Sequence, residues 1–254
     1  MAFSGCIRRP VRPGRLFSRT AFGPKHITME YKNVEPAVFL RRPNRFIAHV
    51  LRQGHETVCH VKNTGRCREL LVPGATVYIQ KADNPHRKTA YDLIAVEKSG
   101  LLINMDAAAP NRVFAEWAAA GHFLPGLTLC RPETTFGDSR FDFYVEAPGL
   151  AGFVEVKGVT LEEDGAVYFP DAPTERGVKH LQGLIRAVKT GYRAWVVFVV
   201  QLSPARFFAP NDRTHPAFGA VLREARTAGV EVLALSCRVT PQSLTAEATI
   251  PVVL

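Results

Sequence analysis

The chain has 254 residues, of which 46% are hydrophobic, and it carries a formal net charge of +9. This length can bury one large core or two modest ones, and the absence of any run of eighteen apolar residues excludes a membrane-spanning helix, so we expect a soluble protein without a membrane partner. The five cysteines are odd in number and widely scattered, and a chain of this length does not need disulfide bonds for stability. This argues against a disulfide framework and favours a reducing, cytoplasmic compartment.

Residues 1–28 contain six basic residues and no acidic one, together with several Pro and Gly residues. This segment lacks the apolar periodicity that folding alone requires, which predicts disorder. An acid-free, arginine-rich start is also typical of an organelle transit peptide, although Pro and Gly disfavour the amphipathic helix of such peptides. A third interpretation, which we favour, is that synthesis starts at Met29 and that residues 1–28 are a mis-assigned extension.

Residues 29–106 are rich in short β-type runs separated by turn residues. The predicted strands are 45–51, 56–61, 75–80, 90–97 and 101–105. Five strands in so short a stretch predict a small closed barrel. The OB fold is the commonest such barrel in nucleic-acid binding, but other small β modules share the pattern.

The barrel segment is also basic. Residues 29–105 hold twelve basic and seven acidic residues, whereas residues 106–254 hold fourteen basic and sixteen acidic ones. We expect two basic groups of the barrel to contact DNA phosphates. They are Arg41, Arg42 and Arg45, ahead of the first predicted strand, and Lys62, Asn63, Arg66 and Arg68, around the turn at 63–65. The alternative is ordinary surface charge, which the charge count does not exclude.

Residues 107–126 are predicted to connect two modules through a helix at 111–120, for which Asn111 is the expected cap. From residue 127 to 254, strands alternate with helices. A helix capped by Thr174 and ended by Gly191 precedes a wholly apolar strand at 194–200, and a second helix begins near Pro216. The pattern predicts a mixed sheet flanked by helices.

The first strands of this module, 141–146 and 153–160, are predicted to form a hairpin. Because side chains alternate along a strand, Glu155 and Lys157 share one face. A closure that pairs Glu146 with Phe153 sets Asp142 across from Lys157 and diagonal to Glu155. We therefore expect these three charged groups to converge.

Two carboxylates, Asp142 and Glu155, can coordinate Mg²⁺ or Mn²⁺ while waters and a substrate phosphate complete the shell. Lys157 can stabilise developing negative charge or orient a water, and Glu133 can complete the site through a water. The predicted catalytic residues are thus Asp142, Glu155, Lys157 and Glu133. The alternative is an exposed strand face with a weak cross-strand salt bridge.

A second basic cluster lies in the predicted first turns of the helix that follows Thr174. Arg176, Lys179 and His180 stand where free amides and the helix dipole favour anions, which suggests a phosphate clamp. The alternative is a capped helix start with a solvated basic face.

Five segments resemble the sugar fermentation stimulation protein A family of bacteria and archaea. They are residues 42–46 (RPNRF), 63–66 (NTGR), 139–143 (SRFDF), 154–161 (VEVKGVTL) and 168–177 (YFPDAPTERG). The resemblance covers about residues 37–254. It implies an N-terminal OB-like barrel followed by a restriction-endonuclease-like domain of the PD-(D/E)xK type, that is, a mixed sheet flanked by helices.

By position, Asp142 matches the aspartate of the nuclease motif, Glu155 and Lys157 its E-x-K, and Glu133 its helix acid, while Phe141 stands in place of proline. The resemblance implies DNA binding without strong sequence preference and a role in sugar, notably maltose, metabolism. Three hypotheses follow: a Mg²⁺-dependent DNA nuclease, a DNA-binding regulator that uses the nuclease fold as a scaffold, and a hydrolase of small phosphate esters or RNA. An intact site permits cleavage without establishing it.

Overall fold

The computed structural model describes residues 29–63 and 65–254, so the predictions for residues 1–28 lie outside the described residues. The N-terminal strands are β1 (Met29–Glu30), β2 (Val34–Asn44), β3 (Ile47–Arg52), β4 (His55–Val61), β5 (Thr76–Lys81), β6 (Tyr91–Lys98) and β7 (Leu101–Asn104), followed by helix α1 (Ala109–Ala119). The next elements are β8 (Leu129–Phe136), β9 (Ser139–Ala147), β10 (Leu150–Val159), β11 (Leu161–Glu163), β12 (Ala166–Phe169) and α2 (Glu175–Lys189). The last are β13 (Arg193–Val200), β14 (Phe207–Pro210), α3 (Pro216–Thr227), β15 (Glu231–Thr240) and β16 (Ser243–Ile250).

The N-terminal unit is a closed five-stranded barrel of the OB type, as the sequence predicted. Its strand order is β4-β3-β2-β5-β6, and a parallel pairing between β4 and β6 closes the sheet on itself. Strand β7 extends the sheet beyond β6. Alternate side chains of these strands, such as Val77 and Ile79, fill the interior.

One strand of the barrel differs from the prediction. The first barrel strand is β2, which the sequence left unassigned because Pro36, Pro43 and two arginines interrupt its apolar pattern. Pro43 is tolerated because the β2–β3 ladder is irregular there, with a register shift between Arg41 and Asn44, whereas Pro36 pairs with Tyr78 of β5 near the start of the strand. Arg41 and Arg42 therefore lie within a strand rather than ahead of one.

The C-terminal unit is a seven-stranded mixed sheet in the order β1-β16-β15-β13-β10-β9-β8. The central strands β10, β13 and β15 are parallel, and their neighbours are antiparallel. Strand β13 is buried from Ala194 to Val200 because α1 covers one face of the sheet and α2 the other. A small sheet of β11, β12 and β14 lies beside it.

The hairpin of β9 and β10 exists, but its predicted register is wrong by two residues. Ala147 pairs with Leu150 across the two-residue turn Pro148-Gly149, so Glu146 faces Ala151 instead of Phe153. Gly149 has a φ of 77°, which a glycine adopts without strain. Continued beyond the last pair of the ladder, Phe143 with Val154, this register sets Asp142 opposite Glu155 rather than Lys157.

The helices follow the predicted patterns, with one exception. Thr174 caps α2 by accepting a hydrogen bond from the Gly177 amide, and Gly191 ends the helix with a φ of 93°. Helix α1 starts two residues before the predicted cap, so Asn111 lies in its first turn. Its side chain is therefore not the helix cap and can contact residues outside α1.

The two units pack against each other through one continuous hydrophobic cluster that includes Ile103 of the barrel and Val200 of the sheet. The segment boundaries also differ from those predicted. Met29–Glu30, assigned to the barrel, pairs with β16, and α1, assigned to a connector, packs on the C-terminal sheet. Across residues 29–63 and 65–254, no helix has the length and apolar character to cross a membrane.

Candidate functional site

The predicted charged centre forms where β9 and β10 separate. Their ladder ends at the pair Phe143 and Val154. Beyond it, Asp142 takes the place of a backbone partner, since its Oδ2 accepts a 2.8 Å hydrogen bond from the Val156 amide. Its Oδ1 accepts a 2.9 Å hydrogen bond from Nδ2 of Asn111 in α1. Asp142 is therefore held by the neighbouring strand β10 and by helix α1.

Glu155 is the most buried member of this centre, with 2% of its surface exposed. Its Oε1 accepts a 2.5 Å hydrogen bond from Nζ of Lys157 and a short hydrogen bond from Nδ1 of His180 in α2. Its Oε2 is also buried but has no hydrogen-bond partner among the described residues. A buried carboxylate oxygen without a partner is costly, and it is one place where a cation can bind.

The electrostatics of the two carboxylates differ. Burial and the nearby negative charge of Glu155 raise the pKa of Asp142. Burial alone would also raise the pKa of Glu155, but the hydrogen bond from His180 and the charge of Lys157 hold it below its usual value. Glu155 is thus ionised and partly neutralised, whereas ionised Asp142 lacks a full counter-charge.

Glu133 does not join this centre. The sequence assigned it to the site as the helix acid, but it lies in edge strand β8, has a φ of 51°, and its side chain is 70% exposed. Its carboxylate pairs with Arg140 at 3.7 Å. The register is the same on either side of Glu133, since Pro132 pairs with Phe143 and Thr134 with Phe141, but Glu133 itself has no pair in the ladder and its positive φ departs from strand geometry.

The basic cluster of α2 divides into two parts. Arg176 and Lys179 are exposed, and Lys179 pairs with Asp138 at 3.3 Å. His180 is buried against Glu155, so its predicted place in a phosphate clamp is wrong. Its spacing of three and four residues from Gly177 and Leu184 could have placed it on the buried face of the helix.

In the barrel, the two predicted basic groups come together. Their arginines line one groove of about 740 Å³, which we call the arginine groove, whereas Lys62 and Asn63 do not line it. Its five arginines are Arg41, Arg42, Arg45, Arg66 and Arg68. Arg45 also stacks on the ring of Phe46, which is 44% exposed.

Three of the predicted phosphate contacts are already engaged within the protein. The guanidinium of Arg42 donates to the carbonyl oxygens of four residues, Arg45, Asn63, Gly65 and Arg66, and so ties β2 to the loop that follows β4. Lys62 pairs with the buried carboxylate of Asp106 at 2.5 Å, and Arg41 pairs with Glu56 at 2.5 Å. Arg42 and Lys62 therefore serve the structure, which corrects their assignment as free DNA contacts.

Comparison with known proteins shows what this architecture is similar to. Residues 40–105 match the model of the SfsA N-terminal OB domain, and residues 108–243 match that of the sugar fermentation stimulation protein RE domain. A solved structure, described as Pyrococcus furiosus SfsA in complex with Ca²⁺, superposes with a TM-score of 0.82 at 29% identity and covers 90% of this chain and 100% of its own.

Two curated relatives agree, and each is named sugar fermentation stimulation protein homolog. The one from Desulfitobacterium hafniense strain Y51 is 57% identical over 218 residues, which are 86% of this chain and 95% of the relative. The one from Clostridium beijerinckii is 52% identical over 226 residues, which are 89% of this chain and 100% of the relative. The resemblance found in the sequence is thereby confirmed: the chain belongs to the sugar fermentation stimulation protein family.

Proposed function

We propose that this protein binds DNA and carries a nuclease-type site in which Asp142 and Glu155 hold one Mg²⁺ or Mn²⁺ ion. The observation that carries the proposal is the buried Oε2 of Glu155, which has no hydrogen-bond partner in the described part of the chain, beside a second, partly buried carboxylate whose pKa is raised. A divalent cation would satisfy that oxygen and neutralise both acids. The relative from Pyrococcus furiosus is described with Ca²⁺, a cation that also takes oxygen ligands.

The donor set fits magnesium better than a metal that needs a complete protein cage. Among the described residues, no group of three or more His, Cys, Asp or Glu side chains is arranged to hold a metal. Two carboxylates suit Mg²⁺, which keeps several waters and takes its remaining ligands from a substrate phosphate. A bound ion would supply polarisation of a phosphoryl oxygen and a lower pKa for a bound water.

The protein's own groups complete the proposed site. The ammonium of Lys157 lies beside Glu155 and can stabilise negative charge on a phosphate. His180 holds Glu155 from α2, and Asn111 holds Asp142 from α1, so both ligands are oriented before an ion arrives. Such support is what a metal site requires.

DNA binding in this proposal rests on the arginine groove. Arg45, Arg66 and Arg68 are exposed and make no ion pair within the described part of the chain, so their charges are available to phosphates. Phosphate contacts carry no sequence information, and we therefore expect binding without strong sequence preference. Effects on sugar, notably maltose, metabolism would follow from this binding. The cytoplasmic location expected from the cysteines stays a prediction.

A second candidate function is a DNA-binding regulator that does not cleave. One observation favours it: Lys157 and His180 both occupy Oε1 of Glu155, an arrangement that already neutralises this acid without a metal. In that case the nuclease fold serves as a scaffold, and Lys157 is not free for catalysis.

One experiment separates the two candidates. Purified protein is incubated with supercoiled plasmid and Mg²⁺ or Mn²⁺, and Glu155→Gln serves as the matched variant. Nicking by the wild type that is lost in Glu155→Gln supports the nuclease. If both proteins bind the plasmid equally and neither nicks it, the regulator is correct. A nicking activity that survives in Glu155→Gln would place the reaction elsewhere.

A further inference from the structure

A cleft adjoins the arginine groove where the barrel meets the C-terminal unit. The cleft has a volume of about 300 Å³. Gly65 and Ala172 line both spaces, so the groove leads directly into the cleft. A polymer held in the groove can therefore extend into the cleft without leaving the surface of the protein.

The cleft lies at the carboxyl ends of the two parallel strands β10 and β13. Thr160 directly follows β10, Gln201 directly follows β13, and both residues line the cleft. Ligands of open α/β sheets bind outside the carboxyl ends of parallel strands. Gly158, which also lines the cleft, belongs to β10, the strand that carries Glu155 and Lys157, so the cleft lies at the carboxyl end of that strand.

The lining of the cleft is chemically mixed. Phe169 and Pro170 offer apolar surface, while Asn63, Thr160 and Asp171 offer hydrogen-bonding groups. Burial raises the pKa of Asp171, and backbone hydrogen bonds hold its carboxylate in place. A few fixed polar groups on an apolar wall are typical of a small-molecule site. A nucleobase, with its flat faces and polar edge, matches this composition.

The size of the cleft limits what enters it. A volume of about 300 Å³ lies at the small end of the range of ligand sites, which suits one nucleotide better than a base pair. A base within a duplex is stacked and cannot reach such a pocket unless it leaves the helix. In the groove, the exposed ring of Phe46 offers a stacking face, and such faces bind unpaired bases.

We propose that the cleft is a nucleotide subsite and that the DNA bound by this protein is single-stranded, with its backbone in the arginine groove and one nucleotide in the cleft at the carboxyl ends of β10 and β13. This inference rests on the proposed DNA binding and adds to it the structure of the DNA that is bound.

The test measures affinities of the full chain for a labelled single-stranded oligonucleotide of about twelve nucleotides and for the duplex of the same sequence. The blocking variant is Ala172→Trp, which fills the junction of groove and cleft but removes no charge. The matched control is Ala220→Trp, at an exposed position of α3 that lines neither space. Thermal unfolding of each variant reports whether it has folded.

The inference predicts that the wild type binds the single strand about tenfold more tightly than the duplex, that Ala172→Trp loses about tenfold of this affinity, and that Ala220→Trp loses none. Equal affinity of the wild type for both forms overturns the inference but leaves DNA binding intact, and this comparison decides the case even where Ala172→Trp does not fold. Unchanged binding by a folded Ala172→Trp also overturns it. Failure to bind either form would overturn the proposed function as well.

Discussion

Nδ2 of Asn111 donates a 2.9 Å hydrogen bond to Oδ1 of Asp142, so helix α1 holds one of the two proposed metal ligands. The sequence assigned Asn111 to a helix cap, and no spacing signal links it to a residue thirty-one positions away. Its position has a direct consequence for cation binding.

We expect Asn111→Ala to weaken Mn²⁺ binding by about tenfold, because loss of a hydrogen bond to a ligating carboxylate costs about 10- to 100-fold in metal affinity. Calorimetric titration with Mn²⁺ measures the effect. Arg112→Ala, at the next and exposed position of α1, is the matched control and leaves the affinity unchanged. Equal affinities in both variants would show that Asn111 does not position the ligand.

Replacing each of the two acids by its amide is expected to have opposite effects on the stability of the metal-free protein. The pKa of Glu155 is lowered, so ionised Glu155 stabilises the fold, and Glu155→Gln removes its interactions with Lys157 and His180. We expect a loss of about 3 kcal/mol in the free energy of unfolding, the cost of breaking a buried ion pair. The measurement is denaturant unfolding near neutral pH, and a variant as stable as the wild type would contradict the ion-pair network.

Asp142→Asn is expected to leave the metal-free protein at least as stable as the wild type. The pKa of Asp142 is raised by burial and by Glu155, so its ionisation opposes folding near neutral pH. The amide of Asn111 can turn to accept from the new side chain, which preserves that contact. Unfolding midpoints of the two proteins test this expectation, and a strongly destabilised variant would refute it.

The pH dependence follows from the same two shifts. A raised pKa means that Asp142 binds a proton more tightly in the folded than in the unfolded state. The stability gained by Asp142→Asn over the wild type therefore shrinks as the pH falls through that pKa. A lowered pKa means that the stability given by Glu155 is present near neutral pH and is lost as the pH falls through its folded value. Unfolding measured from about pH 7 to about pH 3 runs from above the usual carboxylate pKa values to below them. A constant difference between Asp142→Asn and the wild type over that range would contradict the assignment.

The arginines of the groove are expected to have two different roles: exposed ones contact phosphates, and Arg42 stabilises the fold. We expect Arg66→Ala or Arg68→Ala to reduce the salt dependence of DNA binding by slightly less than one unit of slope each, since each removes about one phosphate contact. Arg42→Ala should instead lower the unfolding temperature, because its guanidinium holds four carbonyl oxygens. If Arg42→Ala keeps its stability and changes only the slope, Arg42 is a phosphate contact after all.

Much of the fold could be predicted from the sequence because its signals are local. The apolar run of β13, the cap at Thr174 and the turn residues of the barrel each specify structure within a few positions. Strand β2 was missed because prolines lie near both of its ends, and Pro43 is acceptable only because the β2–β3 ladder is irregular there.

The candidate centre was predicted in part. The pairing of Glu155 with Lys157 follows from alternation along one strand, whereas the position of Asp142 depends on the turn of the hairpin, and a tight turn at Pro148-Gly149 moved the register by two residues. The contacts of Asn111 and Arg42 join segments distant in the sequence, and only the folded chain brings them together.

The central claim is that Asp142 and Glu155 bind a divalent cation. The most direct measurement is anomalous diffraction from crystals soaked in Mn²⁺. The account predicts one strong peak per chain, between Oε2 of Glu155 and the carboxylate of Asp142, at about 2.0–2.2 Å from the ligand oxygens. A map with no peak there, or with Mn²⁺ bound only at other residues, would contradict it.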